Sequence, residues 1–254
     1  MENKKITYII PLHKEDEKVF RAIESVPEGA DIIVSTTKDV EDWFCGKLEQ
    51  DSKVMTVVND KSTYPVLVNA GIEYSKKGEC DLINILEYDD TILPNAHKIV
   101  SEYSTDWDDV EIYCPLACIV VEEDTTDKPT LVGISNEASM APQMAEEFGY
   151  FDFNMMLKTN FIFLNGCYIK PSVFEDYGII KENFDMFYDY EFLLRVVYNG
   201  GIIRSIPKAT HFHAINEAGA FETQKALPKE TRENWLGAAR REYFFEDDRE
   251  ISFE

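Results

Sequence analysis

The stretch Asp81-Leu82-Ile83-Asn84-Ile85-Leu86-Glu87-Tyr88-Asp89-Asp90 decides the fold. An apolar, strand-like segment ends in three carboxylates within four positions, and Thr91-Ile92-Leu93-Pro94 then reads as the opening of a helix. Along an extended segment, residues two apart point the same way, so Glu87 and Asp89 are expected to face one side together. Oxygen donors at the mouth of a sheet suit a hard divalent cation such as Mg²⁺ or Mn²⁺. The plainer reading is an acidic turn in which Asp90 or Thr91 caps a helix starting near Pro94. The buried strand before the cluster favours the cation, because open α/β sheets bind ligands at the carboxyl ends of their strands.

Working outward, the first hundred residues alternate the two periodicities. Strands are expected at Ile6–Leu12, Asp31–Ser35, Val54–Val58 and Asp81–Leu86. Helices are expected at Glu17–Val26, Val40–Leu48, Pro65–Tyr74 and Pro94–Tyr103. Such alternation predicts a mostly parallel sheet wound by right-handed crossovers. After residue 105 the rhythm changes. Glu111–Glu122 and Asn160–Lys170 read as strands, the latter kinked at Asn165-Gly166. Tyr188–Tyr198 reads as a helix, Gly201–Ile206 as a strand ending in a turn at Pro207, and Pro228–Tyr243 as a charged amphipathic helix before an acidic tail. Asp124–Gly149 is polar, carries Met140 and Met144, and reads as a loop over a site.

At 254 residues and 44% hydrophobic, the chain has the length and composition of a full globular core. Its formal net charge of −23 argues against nucleic acid or an anionic membrane as partner. An anionic ligand would need local cations to reverse the field at its site. The five cysteines (Cys45, Cys80, Cys114, Cys118 and Cys167) form neither a disulfide framework nor a zinc pattern. No apolar run approaches a membrane span or a leader, so a soluble cytoplasmic protein is expected. GxGxxG after the first strand, GxxxxGK[ST] and GxSxG are all missing from the sequence, which disfavours dinucleotide, P-loop and α/β-hydrolase chemistry.

Two further constellations carry chemistry. In Phe184-Asp-Met-Phe-Tyr-Asp189-Tyr-Glu191-Phe-Leu-Leu-Arg195, acids open a helix in an aromatic setting. Either they favour the helix dipole, with Glu191 paired to Arg195, or Asp189 is a general base. In His211-Phe212-His213, at most one histidine is expected to reach a given metal, and packing is as good an account of either taken alone.

Six stations in order resemble the family 2 glycosyltransferases of GT-A fold, over roughly residues 5–215. Ile6-Thr-Tyr-Ile-Ile-Pro-Leu-His-Lys-Glu-Asp16 resembles the opening strand and its Pro-x-x-Asn-Glu-Glu turn. Ala22-Ile-Glu-Ser-Val26 resembles the "ALESV" helix, and Val68-Asn-Ala-Gly-Ile72 the "RNxGI" segment. Glu87-Tyr-Asp-Asp-Thr-Ile-Leu-Pro94 resembles the DxDD metal site, Asn165–Gly178 the acceptor-side strand and turn, and Tyr188–Arg195 the "EDxDLxLR" motif. Lys14, Ser35-Thr36-Thr37, Val68, Glu87 and Tyr188 stand where the family has other residues.

The resemblance implies a GT-A-like (Rossmann-like) α/β domain over 1–220. Residues 1–105 would form a nucleotide-binding half and 106–220 an acceptor half, with 221–254 a helical appendage and tail. It implies metal-dependent, inverting sugar transfer from a nucleotide-diphosphate donor to a glycan or other hydroxyl. The alternative is a catalytically weak domain that binds glycan or serves in an assembly. Asp189 would be the base. Pro11, His13, Glu15, Ser35, Asn69 and Asp89 would contact the nucleotide-sugar. Glu87, Asp89, Asp90 and His213 would hold Mn²⁺ or Mg²⁺, with His211 and Asn216 as alternatives to His213.

Overall fold

The computed structural model describes residues 4–48, 53–121, 130–134, 151, 153–158, 162–215 and 226–244. In chain order the strands are β1 (Ile6–Pro11), β2 (Asp31–Thr37), β3 (Val54–Asn59), β4 (Leu82–Ile85), β5 (Thr91–Ile92), β6 (Ile112–Val121), β7 (Thr130–Ile134), β8 (Tyr168–Ile169) and β9 (Ile203–Ala214). The helices are α1 (Lys18–Ser25), α2 (Lys38–Cys45), α3 (Tyr64–Ser75), α4 (Ala96–Asp106), α5 (Phe153–Lys158), α6 (Ser172–Asp176), α7 (Tyr188–Tyr198) and α8 (Lys229–Phe244).

One sheet runs β3-β2-β1-β4-β8-β6-β9-β5, with β7 on the side of β6. The first four strands are parallel, and β8 runs antiparallel to both β4 and β6. From β1 the chain winds outward through β2 to β3, then returns across the sheet to lay β4 on the other flank of β1. The direction of winding therefore reverses between β1 and β4, and the crevice beyond their carboxyl ends is where such sheets hold ligands.

Side-chain alternation builds two apolar layers. Ile6, Tyr8 and Ile10 of β1 pack with Val19, Ala22, Phe44 and Val100 from α1, α2 and α4. Ile9 points the other way, to Val68 and Ile72 of α3 and to Phe192, Leu193 and Val196 of α7. Helix α3 lies very close to β1. A Cβ on Gly71 would fall 2.4 Å from Ile9 Cγ2, so only glycine permits this approach.

The strand–helix rhythm of the first hundred residues appears as expected, with ends shifted by a few positions. Three expectations change. Residues 91–94 do not open a helix: Thr91 and Ile92 form β5 against Phe212 and His211, and α4 starts only at Ala96. Within 162–170, only Tyr168 and Ile169 are strand, because Gly166 turns the chain with φ +75°. Pro207 does not end a strand. β9 continues to Ala214 and absorbs Pro207 and Lys208 as an irregularity beside Pro115 and Leu116 of β6. The expected loop over the site, Asp124–Gly149, lies outside the described residues apart from β7, as does Asn216.

Candidate active site

The acidic motif leaves the strand before it turns. β4 ends at Ile85, and Asp90 N–H donates to the Glu87 carbonyl at 3.0 Å, closing a turn over Glu87–Asp90. The extended geometry expected to align Glu87 with Asp89 is therefore absent. The ligand atoms that converge belong to Glu87, Asp90 and His213, all within 4.8 Å of one another. Asp89, 8% exposed, is buried in the same turn without sharing that convergence.

Asp90 is the hub. Its Oδ2 accepts from Asn165 Nδ2 at 2.6 Å and lies 3.1 Å from His213 Nδ1, while its Oδ1 accepts from Ala214 N–H at 2.9 Å. One carboxylate thus ties the β4–β5 turn to the end of β9. Asn165 also reaches the other end of the turn, where its Oδ1 accepts from Glu87 N–H at 3.2 Å. Burial and the neighbouring Asp90 charge push the Glu87 carboxyl upward. Burial pulls the His213 imidazole down, but the hydrogen bond and charge of Asp90 outweigh it and raise the group.

The two histidines separate. His211 is 3% exposed, and burial pushes its imidazole down to about 4, so it is neutral. Its ring fills the space over Gly166, where a Cβ would lie 2.2 Å from Cε1. His211 is thus a packing residue, and His213 is the one that meets the acids.

Asp189 lies in the first turn of α7, and burial pushes its carboxyl up to about 6, against a 2.8 Å bond from Tyr190 N–H. Its charge acts on Glu87, and both acids act on Tyr64 and Tyr188, whose hydroxyls burial raises first. The two tyrosine rings stack with centroids 5.2 Å apart. Phe187, just before this turn, has φ +58°, a left-handed conformation that costs a bulky residue of order 1–3 kcal/mol. Glu191 is a different case. It is 1% exposed, pairs with Arg195 through both oxygens at 3.1 Å and with Lys181 at 2.9 Å, and so serves as an ion pair within the fold.

The remaining expected contacts lie on other elements and at different depths. Pro11 ends β1, and the exposed loop after it brings the His13 ring 5.3 Å from that of Tyr88, with Lys14 Nζ 5.5 Å from the same ring. Glu15 is exposed in that loop. Ser35 is fully buried at the end of β2, its hydroxyl accepting from Asn59 Nδ2 at 2.9 Å. Asn69 tethers α3 to residues 180–182: Nδ2 donates to Ile180 O and Glu182 Oε1, and Oδ1 accepts from Ile180 N–H. Sequence reasoning missed Tyr64 and Asn59. It noted Asn165 as part of a kink and as the start of an acceptor-side station, although its side chain joins both ends of the acidic turn.

No family model and no curated protein matches the chain. Solved structures do. Staphylococcus aureus TarS residues 1–349 in complex with UDP-GlcNAc superposes with a TM-score of 0.62 at 12% identity, over 86% of this chain and 61% of that one. A second structure of TarS residues 1–349 gives 0.59 at 11% identity, over 98% and 75%. Its complex with UDP gives 0.58 at 12% identity, over 94% and 72%. The fold is GT-A-like: a mixed α/β sheet, flanked by helices, with acids at its switch point. At these identities the likeness extends to the fold and not to family 2 membership. No helix among the described residues is long and apolar enough to cross a membrane.

Proposed function

We propose that the protein is a metal-dependent, inverting glycosyltransferase taking its sugar from a nucleoside-diphosphate donor. One observation carries this reading: Glu87, Asp90 and His213 converge at the switch point while a separate half-buried carboxyl, Asp189, is near enough for its charge to act on Glu87. Two carboxylates and an imidazole are a fitting donor set for Mn²⁺ or Mg²⁺. A divalent ion held there, with Asp89 beside it, would supply positive charge against the diphosphate in a chain that otherwise repels anions.

The protein's own groups account for the rest. Asp189 takes the proton from the acceptor hydroxyl as that oxygen bonds to the anomeric carbon. On the opposite face the bond to the diphosphate breaks, and the nucleoside diphosphate leaves. A carboxyl raised to about 6 is ionised at neutral pH yet basic enough to accept that proton. Negative charge from Asp189 also favours the positive, oxocarbenium-like transition state. In this reading residues 1–105 hold the nucleotide, through Pro11, His13, Glu15, Ser35 and Asn69 around the β1 and β2 ends, and 106–220 present the acceptor, a glycan or other hydroxyl. The complexes of TarS with UDP and UDP-GlcNAc make UDP-sugars the first donors to test.

The second reading, a domain that binds nucleotide-sugar or glycan without turnover, draws on the β2 end. There Ser35 accepts from Asn59, and the Thr36 hydroxyl donates to Leu12 O, so both side chains are committed within the protein. Calorimetric titration of UDP and UDP-GlcNAc with and without Mn²⁺, followed by a donor-hydrolysis assay, separates the two. The enzyme reading expects Mn²⁺-dependent binding and slow release of UDP. Binding with no release in the presence of any hydroxyl acceptor favours the second, and no Mn²⁺-dependent binding removes the metal assignment.

A further inference from the structure

Asp90 and Glu87 are three residues apart, and their spacing rests on a side chain from a distant segment. Asn165 accepts from Glu87 N–H at 3.2 Å and donates to Asp90 Oδ2 at 2.6 Å, spanning the turn from its first residue to its last. It reaches this position because the next residue anchors the backbone. Gly166 N–H donates to the Ile85 carbonyl at 2.9 Å, and the buried His211 ring sits against the Gly166 Cα where any Cβ would collide. Asn84, the residue before Ile85 on β4, donates through Nδ2 to the Cys167 carbonyl at 3.1 Å, so the segment is fastened on the other side of the glycine as well. A half-buried amide held by such a frame cannot swing away without breaking bonds at both ends of the acidic turn.

We propose that Asn165 is the positioning residue of the acidic site. It sets the separation and aim of the Glu87 and Asp90 carboxylates, and with His213 it occupies the Asp90 oxygen that would otherwise turn outward. The inference rests on the proposed metal reading for its consequence, while the positioning itself stands on the hydrogen bonds. Partners that orient metal ligands typically govern affinity ten- to a hundredfold. A neutral amide suits the place because it offers an acceptor to Glu87 N–H and a donor to Asp90 at once, which a carboxylate there could not do without adding charge to the cluster.

The test compares wild type with Asn165→Ala, at a temperature well below either melting point. Mn²⁺ affinity is measured by electron paramagnetic resonance, and backbone amide exchange at Glu87 and Asp90 by NMR without metal. The expected result is a ten- to hundredfold loss of Mn²⁺ affinity together with faster exchange at both amides. Mn²⁺ affinity within twofold of wild type overturns the proposal even if the variant melts earlier, since a purely structural asparagine would behave that way. If wild type itself binds no Mn²⁺, the metal reading falls, and the exchange data alone decide: faster exchange in the variant upholds Asn165 as the residue that sets the turn, and unchanged exchange overturns it.

Discussion

Asp189 and Glu191 sit two positions apart on α7, the first half-buried and the second buried, and their partners separate them. Glu191 has two cations against it, whereas the described partners of Asp189 are backbone N–H groups, its own and that of Tyr190, with no cation among them. Asp189→Asn should therefore lower transfer at least about a hundredfold while leaving UDP affinity nearly intact, read as a fall in kcat at unchanged binding. The pH dependence has a definite sign. A carboxyl raised to about 6 in the folded protein must lose its proton to act, so the transfer rate should climb as pH rises through about 6 and level off above. Stability runs the opposite way. The folded state holds this proton more tightly than the unfolded one, so the contribution is greatest in acid and is lost as pH rises towards 6. Asp189→Asn should consequently melt no lower than wild type at pH 7.5. Glu191→Gln should instead cost on the order of 3 kcal/mol in urea unfolding, because Arg195 and Lys181 lose the charge they face. A stable but inactive Glu191→Gln, with an active Asp189→Asn, would reverse the two roles.

At the scale of the elements, the three-residue sequence around Gly166 does the most with the least. Gly166→Ala combines a positive φ with a collision against His211, and should destabilise the fold by about 2 kcal/mol or more, measurable as a lowered urea midpoint. The alternation of β1 to β4 and α1 to α4 was legible in the sequence, since each strand is a short apolar run and each helix carries one apolar face. The start of α7 at Tyr188 was equally plain. What escaped was the conformation at breaks in periodicity. Glu87–Asp90 looked like the continuation of a strand because carboxylates two apart fit an extended chain, and nothing local announces the hydrogen bond that curls them into a turn. Pro207 looked like a stop, yet β9 passes through it because the irregularity beside Pro115 leaves its missing N–H without a ladder partner to serve. The choice of His213 over His211 was not legible either. It depends on which ring meets Asp90, 123 positions away, and on a glycine that leaves room for the other.

Over the whole molecule, α8 docks on α7, the helix that carries Asp189. Ala239 is 2% exposed, the Trp235 ring lies 5.5 Å from Phe184, and Arg240 Nε donates to the Tyr190 hydroxyl at 2.9 Å. Ala239→Glu buries a charge in that contact and should release the helix, so that limited proteolysis cuts within 226–244 while amides of β1 and β4 keep their protection from exchange. Unchanged proteolysis would show that the docking does not depend on this contact. The strand order has a temporal meaning too. β9 lies between β6 and β5, and among the described residues β5 has no other strand beside it. On a ribosome, the chain from β1 to β8 emerges before the segment that must slide into that gap, about ninety residues after its neighbour β6. Until β9 arrives, Asp90 lacks both His213 and the Ala214 amide, and the long edge of β6 is open to any other extended chain. The acidic turn is thus completed by a strand made long after it, and a nascent chain stalled before residue 203 would carry that turn without the strand that secures it.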